Sequence, residues 1–212
     1  VPMCADFNQM PEHFQIFWDK KSANFRSEEE TAADVFQRAG IYSEFGKIVC
    51  ISVGFINGDK FRVKSFCGDD EKTLLTDFSN MLNNWDPFGN KTLCGHNIKA
   101  FAVLSIARRM LVNRLPLPKS IDLSGKKPWE IKHLDTLEMW KFGDYKNFTS
   151  LALLTALFDI PTPKDDIDGR QVADVYYKER DVERISVYCE KDVLAVANLV
   201  LRLQGKDIYS AD

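Results

Sequence analysis

The apolar residues of "EKTLLTDFSNMLNNW", residues 71–85, recur at Leu74, Leu75, Phe78, Met81, Leu82 and Trp85. That three-and-four spacing marks one face of a helix, so a helix is predicted here. Just before it the period is two. "FRVKSFC" sets Phe61, Val63, Ser65 and Cys67 on one side and Arg62, Lys64 and Phe66 on the other, which predicts a strand. "GKIVCISVGFI", residues 46–56, is a continuous apolar run rich in Ile and Val and reads as a second strand. Between them "NGDK" carries Asn57-Gly58, a strong hairpin signal.

The same reading extends along the chain. Residues 1–26 hold aromatic residues without a clean period and predict a loop with one short helix. Ser27 with Glu30 has the spacing of a capping box and predicts a helix through "EEETAADVFQRAG" that stops near Gly40. "KTLCGHN" predicts a short strand ending in a turn, and "IKAFAVLSIARRMLVNR" a helix. After a proline-punctuated loop, "HLDTLEMW" predicts a strand. "SLALLTALFDI", capped by Ser150, then "RQVADVYYKER" and "DVERISVYCEKDVLAVANLVLRLQ", predict three helices. A hairpin followed by strands alternating with helices predicts an α/β layered domain with a mixed sheet.

Composition narrows the class. With 212 residues, 45% of them hydrophobic and 28% charged, the chain is long enough to bury its own core and reads as one domain, residues 1–212. No apolar run approaches the roughly 18 residues of a membrane span. The five cysteines, Cys4, Cys50, Cys67, Cys94 and Cys189, are scattered, odd in number and without a CxxC. They predict reduced, mostly buried thiols in a cytoplasmic protein. Three unpaired histidines give no metal spacing. The net charge of −3 excludes a generally basic coat, yet Lys99 to Lys132 holds eight cationic and two anionic side chains. Such a zone serves phosphates or is a solvated face.

Two places gather candidate chemistry. Tyr188 and Asp192 lie four residues apart and share a face of the last helix. Taken alone they are a half-buried Tyr beside a surface Asp. Asn97 stands at a strand-to-helix junction, where its side chain suits an N-cap bonding the amide near Ala100. Functional groups of open α/β sheets also collect at such junctions.

With these residues in view a resemblance becomes specific. Asn97-Ile98-Lys99-Ala100-Phe101-Ala102 and Tyr188-Cys189-Glu190-Lys191-Asp192 resemble the second and third motifs of DEDD exonucleases of the tyrosine variety. The closer likeness is to predicted 3′–5′ exonucleases related to the proofreading domain of family B DNA polymerases. It spans roughly residues 1–204 and includes "PWEIKHLDTLEMWKFGDYKNFTSLALLTALFDIPTPKDDIDG". The resemblance implies an RNase H-like fold with a five-stranded mixed sheet flanked by helices. It implies two Mg²⁺ or Mn²⁺ ions held by four carboxylates, Asp192 being the fourth and a metal ligand. Tyr188 would orient the attacking water, and Asn97 and Phe101 would bind substrate, a single-stranded nucleic acid with DNA favoured.

The chain departs from the pattern twice. Ala102 stands where the family's second motif ends in Asp. The family's first motif, an Asp-x-Glu on the first strand, belongs just ahead of the opening "VP", so the first strand is expected to be missing or truncated and the chain to be cut from a longer protein. Ala102 reads as an engineered inactivation, a natural loss or a divergent site. Asp135, Asp144, Asp165, Asp166 and Asp168 are assigned structural or solvent roles. The expectation is a catalytically impaired 3′–5′ exonuclease domain. The alternative is an inactive exonuclease-fold module that binds nucleic acid or a protein partner.

Overall fold

The computed structural model describes residues 1–57, 60–144, 146–162 and 166–209. The Gly58-Asp59 part of the expected hairpin turn, and Asp165, lie outside them. The strands on either side of that turn are present. β1 (Cys50–Asn57) and β2 (Lys60–Cys67) pair antiparallel along their whole length, from Cys50↔Cys67 to Asn57↔Lys60.

The two faces of this hairpin differ. Ile51, Val53 and Phe66 pack with Leu74, Leu75, Phe78 and Leu82 of α2 (Glu71–Trp85) in the main apolar core. Helix α2 begins and ends where its apolar spacing predicts, and the Asp70 carboxylate caps it by accepting from the Lys72 amide. The opposite face of the hairpin meets α7 (Val182–Leu203). There the Ser65 hydroxyl donates to Glu190 at 2.6 Å. At Gly54 a Cβ would come within 2.7 Å of Val193 Cγ1, so α7 lies against bare backbone that only glycine leaves open.

β3 (Cys94–Gly95) and β4 (Leu134–Asp135) form a second, parallel pair in the register Cys94↔Leu134 and Gly95↔Asp135. The described residues therefore do not show the expected five-stranded sheet. Among the described residues four strands make two separate two-stranded sheets. α7 lies against β1, β2 and β3, and so spans both pairs. Residues 1–3 run antiparallel to 45–47, with Pro2 bridged to Gly46.

Two further expectations are corrected. The strand expected over 133–140 stops at Asp135, because its carboxylate accepts from the Leu137 amide at 3.0 Å and starts helix α4 (Thr136–Lys141). The helix expected after Ser27 is a series of turns ending in a 3₁₀ segment, Phe36–Ile41. The Ser27–Glu30 bonds do form, at 2.8 and 3.1 Å, and Asp34 binds Thr31 in the same way. These short-range bonds close turns and compete with helical ones. The turns wrap α1 (Glu12–Ser22), whose wholly buried Trp18 donates Nε1–H to the Ala32 carbonyl.

The remaining helices follow the sequence. A π turn over Ile98–Ala102 leads into α3 (Val103–Val112). Ser150 caps α5 (Leu151–Leu157), and α6 (Val172–Asp174) runs into a π turn over Val175–Glu179. No helix among the described residues is long and apolar enough to cross a membrane. The thiols are less buried than expected: Cys67 and Cys94 are exposed, and Cys4, Cys50 and Cys189 are half-buried. In the basic zone Lys99 pairs with Glu138 and Arg109 with Glu71, so part of its charge is used inside the fold.

Candidate active site

Asn97, Phe101 and Ala102 are delivered by the strand β3 and the π turn that follows it. Asn97 itself sits in the left-handed region at φ 56°, and its side chain makes no cap bond. The expected N-cap role is thus overturned. Its place is taken from 38 residues away: the Asp135 carboxylate accepts from the Asn97 amide at 2.8 Å and the Lys99 amide at 3.2 Å. The same carboxylate starts α4, so one buried side chain holds the beginnings of two helical segments. The sequence carried a signal for this. Asp135-Thr136-Leu137-Glu138 has the spacing of a helix start, an N-cap residue with Glu three places on.

His96, between β3 and Asn97, locks the junction from the other side. Its Nε2 lies 3.0 Å from the Thr149 carbonyl and its Nδ1 3.0 Å from the Thr136 hydroxyl. A carbonyl only accepts, so Nε2 carries the proton and Nδ1 accepts from Thr136. Burial holds the His96 pKa below its ordinary value, which keeps the ring neutral at pH 7.

Within the turn, the Phe101 amide donates to the Asn97 carbonyl at 3.0 Å, and the Phe101 ring is half-exposed at 46%. Ala102 behaves differently. Its methyl is partly buried and packs against the main apolar core.

Tyr188 and Asp192 sit one turn apart on α7, close enough for the Asp192 carboxylate to act on the Tyr188 hydroxyl. Burial, then the charge and hydrogen bond of Asp192, raise the Tyr188 pKa above its ordinary value, so the phenol keeps its proton and donates. The hydroxyl also lies beside the backbone of Gly169, 3.8 Å from where a Cβ would stand. The structure thus gives two halves, the 97–102 turn and the Tyr188–Asp192 pair. α7, which carries the pair, touches β3, which leads into the turn, and α4.

Among the described residues no group of three or more His, Cys, Asp or Glu could hold a metal ion. The described residues therefore do not by themselves fit a two-ion centre. Asp144 closes a turn with Lys146 and Asn147, Asp168 binds Arg170, and Asp166 pairs with Arg184 at 2.7 Å. These are the structural roles expected of them, as is the capping role of Asp135.

Replacing Asp135 by Ala is expected to cost about 2–4 kcal/mol, because three backbone donors lose their acceptor in a buried place. Hydrogen exchange should show the loss first in the amides of residues 97–102. Protection unchanged there, with a lowered melting temperature, would place Asp135's role elsewhere in the fold.

A family model described as a predicted 3′–5′ exonuclease related to the exonuclease domain of PolB matches residues 41–207. No curated protein and no solved structure matches the chain.

Proposed function

Since the chain belongs to the predicted 3′–5′ exonucleases related to the exonuclease domain of PolB, we propose that residues 1–212 are one such domain, built to act on the 3′ end of a single-stranded nucleic acid, DNA in preference to RNA, and impaired in hydrolysis as it stands. The observation that carries this reading is the adjacent Tyr188–Asp192 pair on α7, read as the third motif of the tyrosine-type exonucleases, within the matched region. In it Asp192 is the remaining acidic ligand position, and the protonated Tyr188 phenol orients the attacking water. Asn97 and Phe101 hold the terminal nucleotide, Phe101 by stacking of its exposed ring on a base.

Mg²⁺ or Mn²⁺ belongs to the activity in this reading, and four carboxylates would be needed to hold a pair of ions. The impairment follows from Ala102, which offers a methyl where a carboxylate is needed. The fold itself is read as RNase H-like, the two strand pairs being parts of one five-stranded sheet completed by a strand seated between β1 and β3. Support comes from α7, which lies under both pairs, and from an open groove of about 1240 Å³ lined by Val53, Phe55, Leu74, Met81 and Leu93.

A second reading is favoured by one observation, the packing of Ala102 into the core. It makes the domain a module that holds nucleic acid or a protein partner without cutting.

The test is binding and turnover measured together. Fluorescence anisotropy with labelled single-stranded and duplex oligonucleotides is expected to show preference for the single strand. Phe101→Ala should weaken it about tenfold, since a base–aromatic stack contributes about 1–3 kcal/mol. Equal binding of duplex and single strand, or none of either, would remove nucleic acid from the reading.

A further inference from the structure

Where the hairpin faces α7 three thiols gather that the exonuclease reading does not use, Cys50 and Cys67 on the strands and Cys189 on the helix. Cys50 and Cys67 are directly opposite in the β1–β2 register, and their Sγ atoms lie 2.7 Å apart. Cys189 of α7 packs near Cys50 and adds to the effects that raise its pKa. Directly opposed residues of an antiparallel pair have Cα atoms about 4.5–5.5 Å apart, within the range of about 4.4–6.8 Å that a disulfide spans. The pair is therefore within disulfide reach. Cys67 is exposed, so a dissolved reagent reaches it, whereas Cys50 is half-buried behind it.

We infer that Cys50 and Cys67 are a reversible dithiol–disulfide couple, oxidised by a small-molecule disulfide of the glutathione kind. Cys67 reacts first. As a thiolate it attacks one sulfur of oxidised glutathione and displaces the other half as a glutathione thiolate. Cys50 then attacks the Cys67 sulfur of the mixed disulfide and displaces the second glutathione. Two electrons pass to the glutathione disulfide, and the protons lost by Cys50 and Cys67 end on the two glutathione thiols. Reduction by excess dithiol runs the steps backwards.

The surroundings set the speed. Burial first, and the neighbouring Cys50 thiol second, push the Cys67 thiol up to about 12. The thiolate is then scarce at neutral pH, and the rate rises about tenfold per pH unit between 7 and 9. The product ties β1 to β2 next to Cys189, the residue after Tyr188, which places the bond behind the helix that carries the candidate site.

The experiment uses the fully reduced chain with oxidised glutathione at pH 8.5. Free thiols are titrated, and the non-reduced digest is read by mass spectrometry. The expected result is loss of two of the five thiols, a single Cys50–Cys67 peptide pair, and full recovery with dithiothreitol. Cys189→Ser should keep the cross-link, and Cys67→Ser should prevent its formation with the fold retained by circular dichroism. A stable glutathione adduct on Cys67, a bond from Cys50 to Cys189, a link between two chains, or five unreacted thiols would each overturn the assignment. The mass analysis of the unsubstituted chain decides the point even if a variant fails to fold.

Discussion

Ala102→Asp, in a chain that also carries an Asp-x-Glu strand against the open side of β1, is expected to raise metal-dependent degradation of single-stranded DNA at least about a hundredfold. Each added carboxylate restores a ligand position for an ion whose effect on the reaction is worth several kcal/mol, and about 1.4 kcal/mol is tenfold in rate. Position 102 ends the π turn that Asp135 anchors, so an acid there is held by a fixed backbone. Ala102→Asp alone should behave otherwise. It places a charge against the apolar core without a partner, which costs stability and restores little activity. In the restored background Asp192→Ala should abolish degradation. Tyr188→Phe should lower it less, because it removes a hydroxyl donor and no carboxylate. A restored chain that stays inactive on several single strands, with both Mg²⁺ and Mn²⁺, sinks the exonuclease reading and leaves the binding module.

Glu71→Gln is expected to destabilise the fold by about 3–5 kcal/mol, the cost of stranding one member of a buried ion pair. The Glu71 carboxylate accepts from the Ile48 amide at 2.7 Å, from Arg109 Nε and Nη2 at 2.9 and 2.6 Å, and from Asn113 at 2.9 Å. Arg109 in turn donates to the Ser43 carbonyl. One residue at the start of α2 thus fixes α3 and the chain entering β1. Burial pushes the Glu71 pKa up, but Arg109, the Ile48 amide and Asn113 outweigh it and hold the group below its ordinary value. A depressed carboxylate stabilises the fold fully above its unfolded pKa, about 4.3, and loses that contribution as pH falls through the folded value. The variant should therefore show a shallower stability loss below about pH 4.3. Urea denaturation at pH 7 and pH 3.5 reads both effects. A loss under about 1 kcal/mol at pH 7 would mean the pair is effectively solvated.

What the sequence disclosed depended on how far apart the partners lie. Helix α2 was legible to its ends because its apolar stripe is local, whereas the Asp70 cap went unread. The Tyr188–Asp192 pair was legible because residues four apart on a helix must meet. Asn97 was misread for the opposite reason. Its turn is held by Asp135 across the β3–β4 pair, and no local rule says which distant carboxylate will supply the bonds. Residues 27–39 misled because the capping-box bonds they promised are real but stop at one turn. The five-stranded sheet came from resemblance alone. Strands as short as β3 and β4 were foreseen in place but too long, because two residues carry no period that fixes a strand's ends.

The bond from Ser65 to Glu190 joins residues 125 apart in the chain. At a synthesis rate of about 5–20 residues per second, the hairpin leaves the ribosome on the order of ten seconds before the helix that covers it. Loop closure over such a span is slow compared with hairpin formation, which takes microseconds. Until that helix arrives the hairpin, marginal on two strands alone, has Cys50, Ser52 and Ser65 uncovered and Gly54 bare. For a newborn chain this interval is the period of greatest exposure to chaperones, oxidants and other nascent chains, and it ends only when α7 has been made.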